Sequence, residues 1–196
     1  MNRKFIARAS RWLHIYLSMI SFVIVLFFSI TGLTLNHAEY FQADPVTTEV
    51  KGTIDSNWIN AEDTNRIRKL EVVEFLRKTH AVKGALSDFR IDENEISLSF
   101  KAPSYEGIAF IDRSTGAYTL SQTSQGRMAF FNDLHKGRDT GKAWLWVIDI
   151  SAILMTIISL TGLILLLFIK RKRWSGLLLL VIGLLLSLGV YWWWGV

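Results

Sequence analysis

Three apolar stretches, two basic clusters and one polar segment of alternating character predict a membrane α-helical fold. The expected architecture is three transmembrane helices with a small α+β module inserted between the first two. The stretches are Trp12–Asn36, Ala143–Ile169 and Trp174–Trp194 of a 196-residue chain. At about 1.5 Å of rise per residue, each is long enough to cross a hydrocarbon core of roughly 30 Å. Arg3, Lys4, Arg8 and Arg11 precede the first stretch, and Lys170, Arg171, Lys172 and Arg173 separate the other two. Basic loops stay in the cytoplasm, so both clusters are expected on that side.

The expected organisation follows from that rule. A cytoplasmic basic segment and the first span fill 1–36, and a periplasmic module fills 37–142. The second span is 143–169, and 170–196 holds a basic cytoplasmic turn and the third span. This places the C-terminus, like residues 37–142, on the side opposite the cytoplasm. The formal charge of +5 reports orientation in the lipid bilayer and argues against nucleic acid as a partner. The first stretch is longer than the core of a cleavable leader and has no small-x-small pair near Asn36-His37, so an uncleaved anchor is expected. The chain has no cysteine, which excludes disulfides, thiolate catalysis, cysteine-ligated clusters and covalently attached c-type haem.

The first span carries no Asp, Glu, Lys or Arg. Projected at about 100° per residue, His14, Ser18, Ser21, Val25, Ser29, Gly32 and Asn36 fall on one stripe. Small and polar residues on one face of a membrane helix mark the side turned to protein or cofactor. An ionisable residue on that face, here His14, points to a functional site.

In the polar segment, residues 38–60 contain Pro45 and few apolar anchors and read as an irregular lead-in. From Asn65 to His80, Ile67, Leu70, Val73, Phe75 and Leu76 recur near helical spacing. Leu86–Ile91 and Ile96–Lys101 alternate around Asp92-Glu93-Asn94, and Gly107–Asp112 and Ala117–Gln122 do so around Arg113–Gly116, giving two hairpins. Gln125 to His135 reads as a helix. The expected module is a helix on a sheet of about four strands, small enough to lean on the membrane bundle or on a second copy for stability.

The second span contains Asp149, and the third ends in Tyr191-Trp192-Trp193-Trp194, an interfacial aromatic belt. Ser29-Ile30-Thr31-Gly32-Leu33 in the first span is echoed by Ser159-Leu160-Thr161-Gly162-Leu163 in the second. The two helices run in opposite directions, so the echoes are expected at opposite membrane depths and not as a repeat.

Four histidines are present: His14, His37, His80 and His135. His14 and His37 bracket the first span and lie roughly 35 Å apart along a helix, too far to share one site. His135 precedes the second span and is expected near His37 at the outer surface. His80 ends the module helix and reads as an ordinary exposed residue. A low-spin b-type haem takes two axial imidazoles. His37 and His135 could form such a pair in one protomer, whereas His14 would need its counterpart from a second copy, making a homodimer part of the expectation. Plain structural roles stand beside these: His14 as an interfacial residue next to Trp12 and Tyr16, His37 and His135 as helix-terminal turn residues. Asp149 suits a hydrogen-bond partner behind a ligand imidazole, a supporting place also expected for Ser18 and Gly32, or a proton-handling group, or a carboxylate near the interface paired with Lys142 or Arg138.

Arg11-Trp12-Leu13-His14 with Thr31-Gly32-Leu33 resembles the first helix of the PepSY-associated transmembrane family. Asp133-Leu134-His135-Lys136-Gly137, then Trp144, then Leu160-Thr161-Gly162-Leu163 before Lys170–Arg173, resembles its second conserved helix. The segment between them is similar to a PepSY-like extracytoplasmic module. Larger members are inner-membrane haem proteins that reduce ferric iron or ferric siderophores. The small three-span, VciB-like members are accessory to iron acquisition. The resemblance implies haem b as cofactor, with His14, His37 and His135 as axial ligands to its iron. It implies a haem-dependent ferric reductase acting on ferric iron or a ferric chelate. No dinucleotide or flavin fingerprint is present, so electrons would come from a quinol or a cytoplasmic reductase. The alternative is a non-enzymatic membrane adaptor whose module binds a periplasmic or transporter partner.

Overall fold

The structure, a computed structural model, describes residues 3–41, 43–59 and 66–195. Three helices among them are long and apolar enough to cross a membrane: α1 (Arg3–Asn36), α5 (Lys142–Phe168) and α6 (Arg173–Trp194). The first is longer than the apolar stretch that predicts it, because Lys4, Arg8 and Arg11 continue the same helix. The chain forms two compact units, one of Met1–Phe27 with Asp149–Val196 and one of Phe28–Ile148.

In the first unit the buried residues are small and hydroxylated. Ser10, Ser21, Ser151 and Thr161 are each at most 6% exposed, which is how membrane helices bring their backbones close. Gly176 lets α6 lie against the Leu166 side chain of α5. Helix α5 runs into α6 through a tight turn, where Lys172 N–H donates to Ile169 O.

The predicted stripe on α1 is only partly the packed one. Ser10, His14, Leu17, Ser21, Ile24, Phe28, Thr31 and Leu35 are buried or half-buried, whereas Val25, Ser29 and Asn36 are exposed. The packed positions recur every 3.5 residues, the spacing that keeps a seam facing its neighbour. A straight 3.6-residue projection drifts about 20° per heptad away from it.

The second unit is built on a five-stranded sheet in the order β1-β5-β4-β3-β2. The strands are β1 (Val46–Thr53), β2 (Ala85–Ile91), β3 (Glu95–Ala102), β4 (Tyr105–Asp112) and β5 (Ala117–Ser124). All neighbours are antiparallel, and the two predicted hairpins are β2–β3 and β4–β5. The lead-in at 38–60 is not irregular. It holds the short helix α2 (Ala38–Phe41), strand β1 and a 3-10 turn at Ser56–Trp58. Strand β1 pairs along β5 from Val46↔Ser124 to Thr53↔Ala117. It is an edge strand with mostly exposed side chains, so backbone hydrogen bonds hold it where an apolar alternation would otherwise announce it.

One face of the sheet is apolar. Ile96, Leu98 and Phe100 of β3, Ala109 and Ile111 of β4, and Tyr118 and Leu120 of β5 are buried, while Ser97, Ser99, Thr119 and Ser121 point the other way. Helix α3 (Lys69–His80) covers this face with Val72, Val73 and Leu76. Asn65, the predicted helix start, lies outside the described residues. Ile67 is buried just ahead of α3, and Leu70, predicted inward, is 70% exposed. Of the predicted residues, Ile67, Val73, Phe75 and Leu76 join the core together with Val72, and Leu70 points outward. Helix α4 (Gly126–Lys136) follows β5 and ends on Gly137, whose φ of 68° suits a residue without Cβ.

Candidate functional site

Two imidazoles are held in the same way, one in each unit. In the first unit, His14 Nδ1 lies 3.1 Å from Ile158 O and 3.2 Å from Thr161 Oγ1. A carbonyl oxygen only accepts, so Nδ1 carries the proton and donates. The Thr161 hydroxyl gives its own proton back to Ile157 O and Ile158 O, at 2.9 Å each, and is left to accept from the ring. Gly162 makes room: a Cβ there would stand 3.0 Å from His14 Cε1.

In the second unit, His135 Nδ1 lies 2.7 Å from Thr31 Oγ1. The Thr31 hydroxyl also lies 3.4 Å from Phe28 O, and the direction of its short bond to the ring follows the imidazole tautomer. Gly32 stands beneath, with a Cβ position 3.4 Å from His135 Cε1, and the Phe28 ring meets the imidazole edge-on at 5.2 Å. In both places a Thr-Gly pair bonds Nδ1 through the hydroxyl and admits the ring through the glycine. At His14, where the Ile158 carbonyl requires the proton on Nδ1, Nε2 keeps its lone pair.

The residues around His135 explain its sequence neighbourhood. Asn132 Oδ1 accepts from Thr34 Oγ1 at 3.0 Å, docking α4 against the end of α1. Asp133, 3% exposed, accepts from Ser104 N–H at 2.8 Å and from Arg138 Nη2 at 2.6 Å. One carboxylate thus ties α4 to the β3–β4 turn. Gly137 caps the helix by donating to Leu134 O, and Trp144 Nε1 donates to the same carbonyl at 2.9 Å.

The other anticipated residues lie apart from these sites. His37 is exposed at the end of α1, 3.8 Å from Glu39 Oε1 and with its ring 6.0 Å from that of Tyr40. Counted at about 100° per residue, it is turned roughly 140° from Gly32, the residue under His135. Ser18 Oγ donates to Ile15 O of its own helix at 2.9 Å. Asp149 is exposed on α5 and has no ion-pair partner among the described residues, and Arg138 gives its guanidinium to Asp133. His80 is not an ordinary exposed residue. It is half-buried, with Nε2 2.6 Å from the Tyr118 hydroxyl. Among the described residues no group of three or more His, Asp and Glu side chains converges as a metal site.

The sequence profile of the PepSY_TM-like family matches residues 8–194. The chain belongs to this family. As a PepSY_TM-like protein it pairs membrane-spanning helices with an α+β module, and both Thr-Gly sites lie inside the matched region. No curated protein and no solved structure matches the chain. Thr31, Thr161 and Gly162 are the site residues that composition and spacing do not single out. Their signal was the Ser-x-Thr-Gly-Leu echo: each copy receives one histidine.

Proposed function

We propose that this PepSY_TM-like protein binds haem b in the bacterial inner membrane and passes electrons outward to ferric iron or a ferric chelate. The observation that carries the reading is the shared geometry of His14 and His135. An axial ligand to haem iron must offer a bare ring nitrogen, and a hydrogen bond at the other nitrogen fixes the ring and raises its basicity. His14 meets that requirement through Nδ1–H, which faces Ile158 O and Thr161 Oγ1, and His135 meets it in the tautomer whose Nδ1–H donates to Thr31 Oγ1. The donor set therefore fits the group. What haem b supplies when bound is a one-electron couple between a quinol or cytoplasmic reductase and Fe3+, which becomes Fe2+.

The protein's part is to orient the imidazoles and hold their protons at Nδ1. His14 is the single histidine of its unit, so a six-coordinate iron there takes the partner copy's His14, and the functional form is a homodimer. The basic clusters support a reading with His14 on the cytoplasmic side and the sheet module in the periplasm.

The test is the visible spectrum of the full-length protein, purified in detergent from haem-replete cells. Wild type is expected to show sharp low-spin b-type bands on reduction. His14→Ala and His135→Ala are each expected to lose part of that absorbance, and the reduced bands should be bleached by added ferric chelate. A colourless preparation that stays so after haem is added would sink the haem reading and leave an adaptor role for the module.

A further inference from the structure

Along the covered face of the sheet, the inward rows change character where α3 ends. On β5 the row runs Tyr118, Leu120, then Gln122 and Ser124. Opposite Gln122, β1 places Thr48. Polar residues in rows that are otherwise core are expected only where the face meets water or a ligand. Here they open onto a cleft of about 520 Å³, within the range of small-molecule sites.

The cleft walls are fixed before any ligand arrives. Lys83 N–H donates to the Tyr105 hydroxyl at 3.3 Å, and that hydroxyl donates to Gln122 Oε1 at 2.7 Å. Gln122 Nε2 in turn donates to His80 O at 3.3 Å. Burial pushes the Tyr105 phenol above its ordinary value, so it stays protonated to make this chain. Ser104 lines the cleft at the second turn position after Pro103 with a φ of 56°, a conformation that glycine or asparagine usually fills. Its backbone N–H is tied to Asp133, two residues before His135 on α4. Phe130 of the same helix forms an apolar wall.

The charge of the cleft has one sign. Among the described residues Lys83, which is exposed, is the charged residue that lines it, no Asp or Glu does, and the Lys83 ammonium has no ion-pair partner. Hydroxyl and amide groups with one free cation suit an oxygen-rich anion. We propose that this cleft binds a small polycarboxylate, as the docking site of a carboxylate-type iron chelate. The chelate role rests on the electron-transfer reading above, whereas carboxylate binding does not need haem.

The test is calorimetric titration of haem-free, full-length protein in detergent with citrate, with ferric citrate, and with a neutral ferric trihydroxamate. Both citrate species are expected to bind, and the trihydroxamate to bind more weakly. Lys83→Glu should weaken citrate roughly tenfold or more, the scale of a hydrogen bond to a charged group, while Lys83→Arg retains it. Lys83 is at the surface, so both variants should melt with wild type. Absence of heat with either citrate species, unchanged binding in Lys83→Glu, or preference for the trihydroxamate would each overturn the proposal. Working on haem-free protein keeps the two failures separate: a colourless chain can still bind citrate, and a haem-loaded chain can fail to.

Discussion

The partners of Nδ1 decide which nitrogen of each histidine is free. His14 has two acceptors for its Nδ1–H, Ile158 O and Thr161 Oγ1, while His135 is bonded to Thr31 Oγ1. Threonine to valine keeps the shape and removes the acceptor. Outer-shell partners of this kind are worth roughly 10–100-fold in ligand affinity. Thr31→Val is therefore expected to cost more haem affinity than Thr161→Val, because the Ile158 carbonyl still orients His14. Nitrogen-15 spectra of the haem-free protein give a readout separate from binding. The His135 ring should lose its single tautomer in Thr31→Val, while the His14 ring stays Nδ1-protonated in Thr161→Val. Equal losses in the two variants would contradict the assigned hydrogen bonds.

At the scale of elements, the β4–β5 turn carries the clearest pH dependence. Asp112 Oδ1 accepts from the side chain and backbone N–H of both Ser114 and Thr115, at 2.6 to 2.9 Å. These bonds, the Ser114 hydroxyl first, lower the carboxyl from 3.8 to about 2. A carboxylate with a depressed folded value contributes stability that is present above the unfolded value and lost as pH falls through the folded one. Asp112→Asn should therefore melt slightly below wild type at pH 7, with the gap closing between about pH 4 and pH 2. Thermal melts followed by circular dichroism across that range check it, and a gap that widens on acidification would contradict it. The same turn shows what was legible in the sequence. Arg113–Gly116 between two alternating runs announces a hairpin, because its chemistry is local. Strand β1 was not legible: Val46-Thr47-Thr48 is β-branched but carries no core residue, and its place is set by β5. The Thr-Gly pairs were visible as an echo. Their purpose depends on which histidine arrives from elsewhere in the chain, and spacing does not encode that.

At the scale of the molecule, the spans expose nearly all of their apolar surface. Within their most apolar windows 6%, 11% and 0% of α1, α5 and α6 is buried. Lipid or a second copy must cover it. The count of histidines discriminates between assemblies. An iron at His14 with two imidazole ligands needs two chains, so a purified dimer with a haem shared across His14 holds half a haem per chain at that site. Haem and protein quantified on the His135→Ala variant, which retains His14, should give one haem per two chains, with a mass in native detergent-mass spectrometry of a dimer plus one haem. A ratio of one haem per chain would place the second ligand within the same protomer and overturn the shared-haem dimer. Alanine at His37, roughly 35 Å along the helix from His14, should leave the low-spin bands of the shared-haem dimer unchanged.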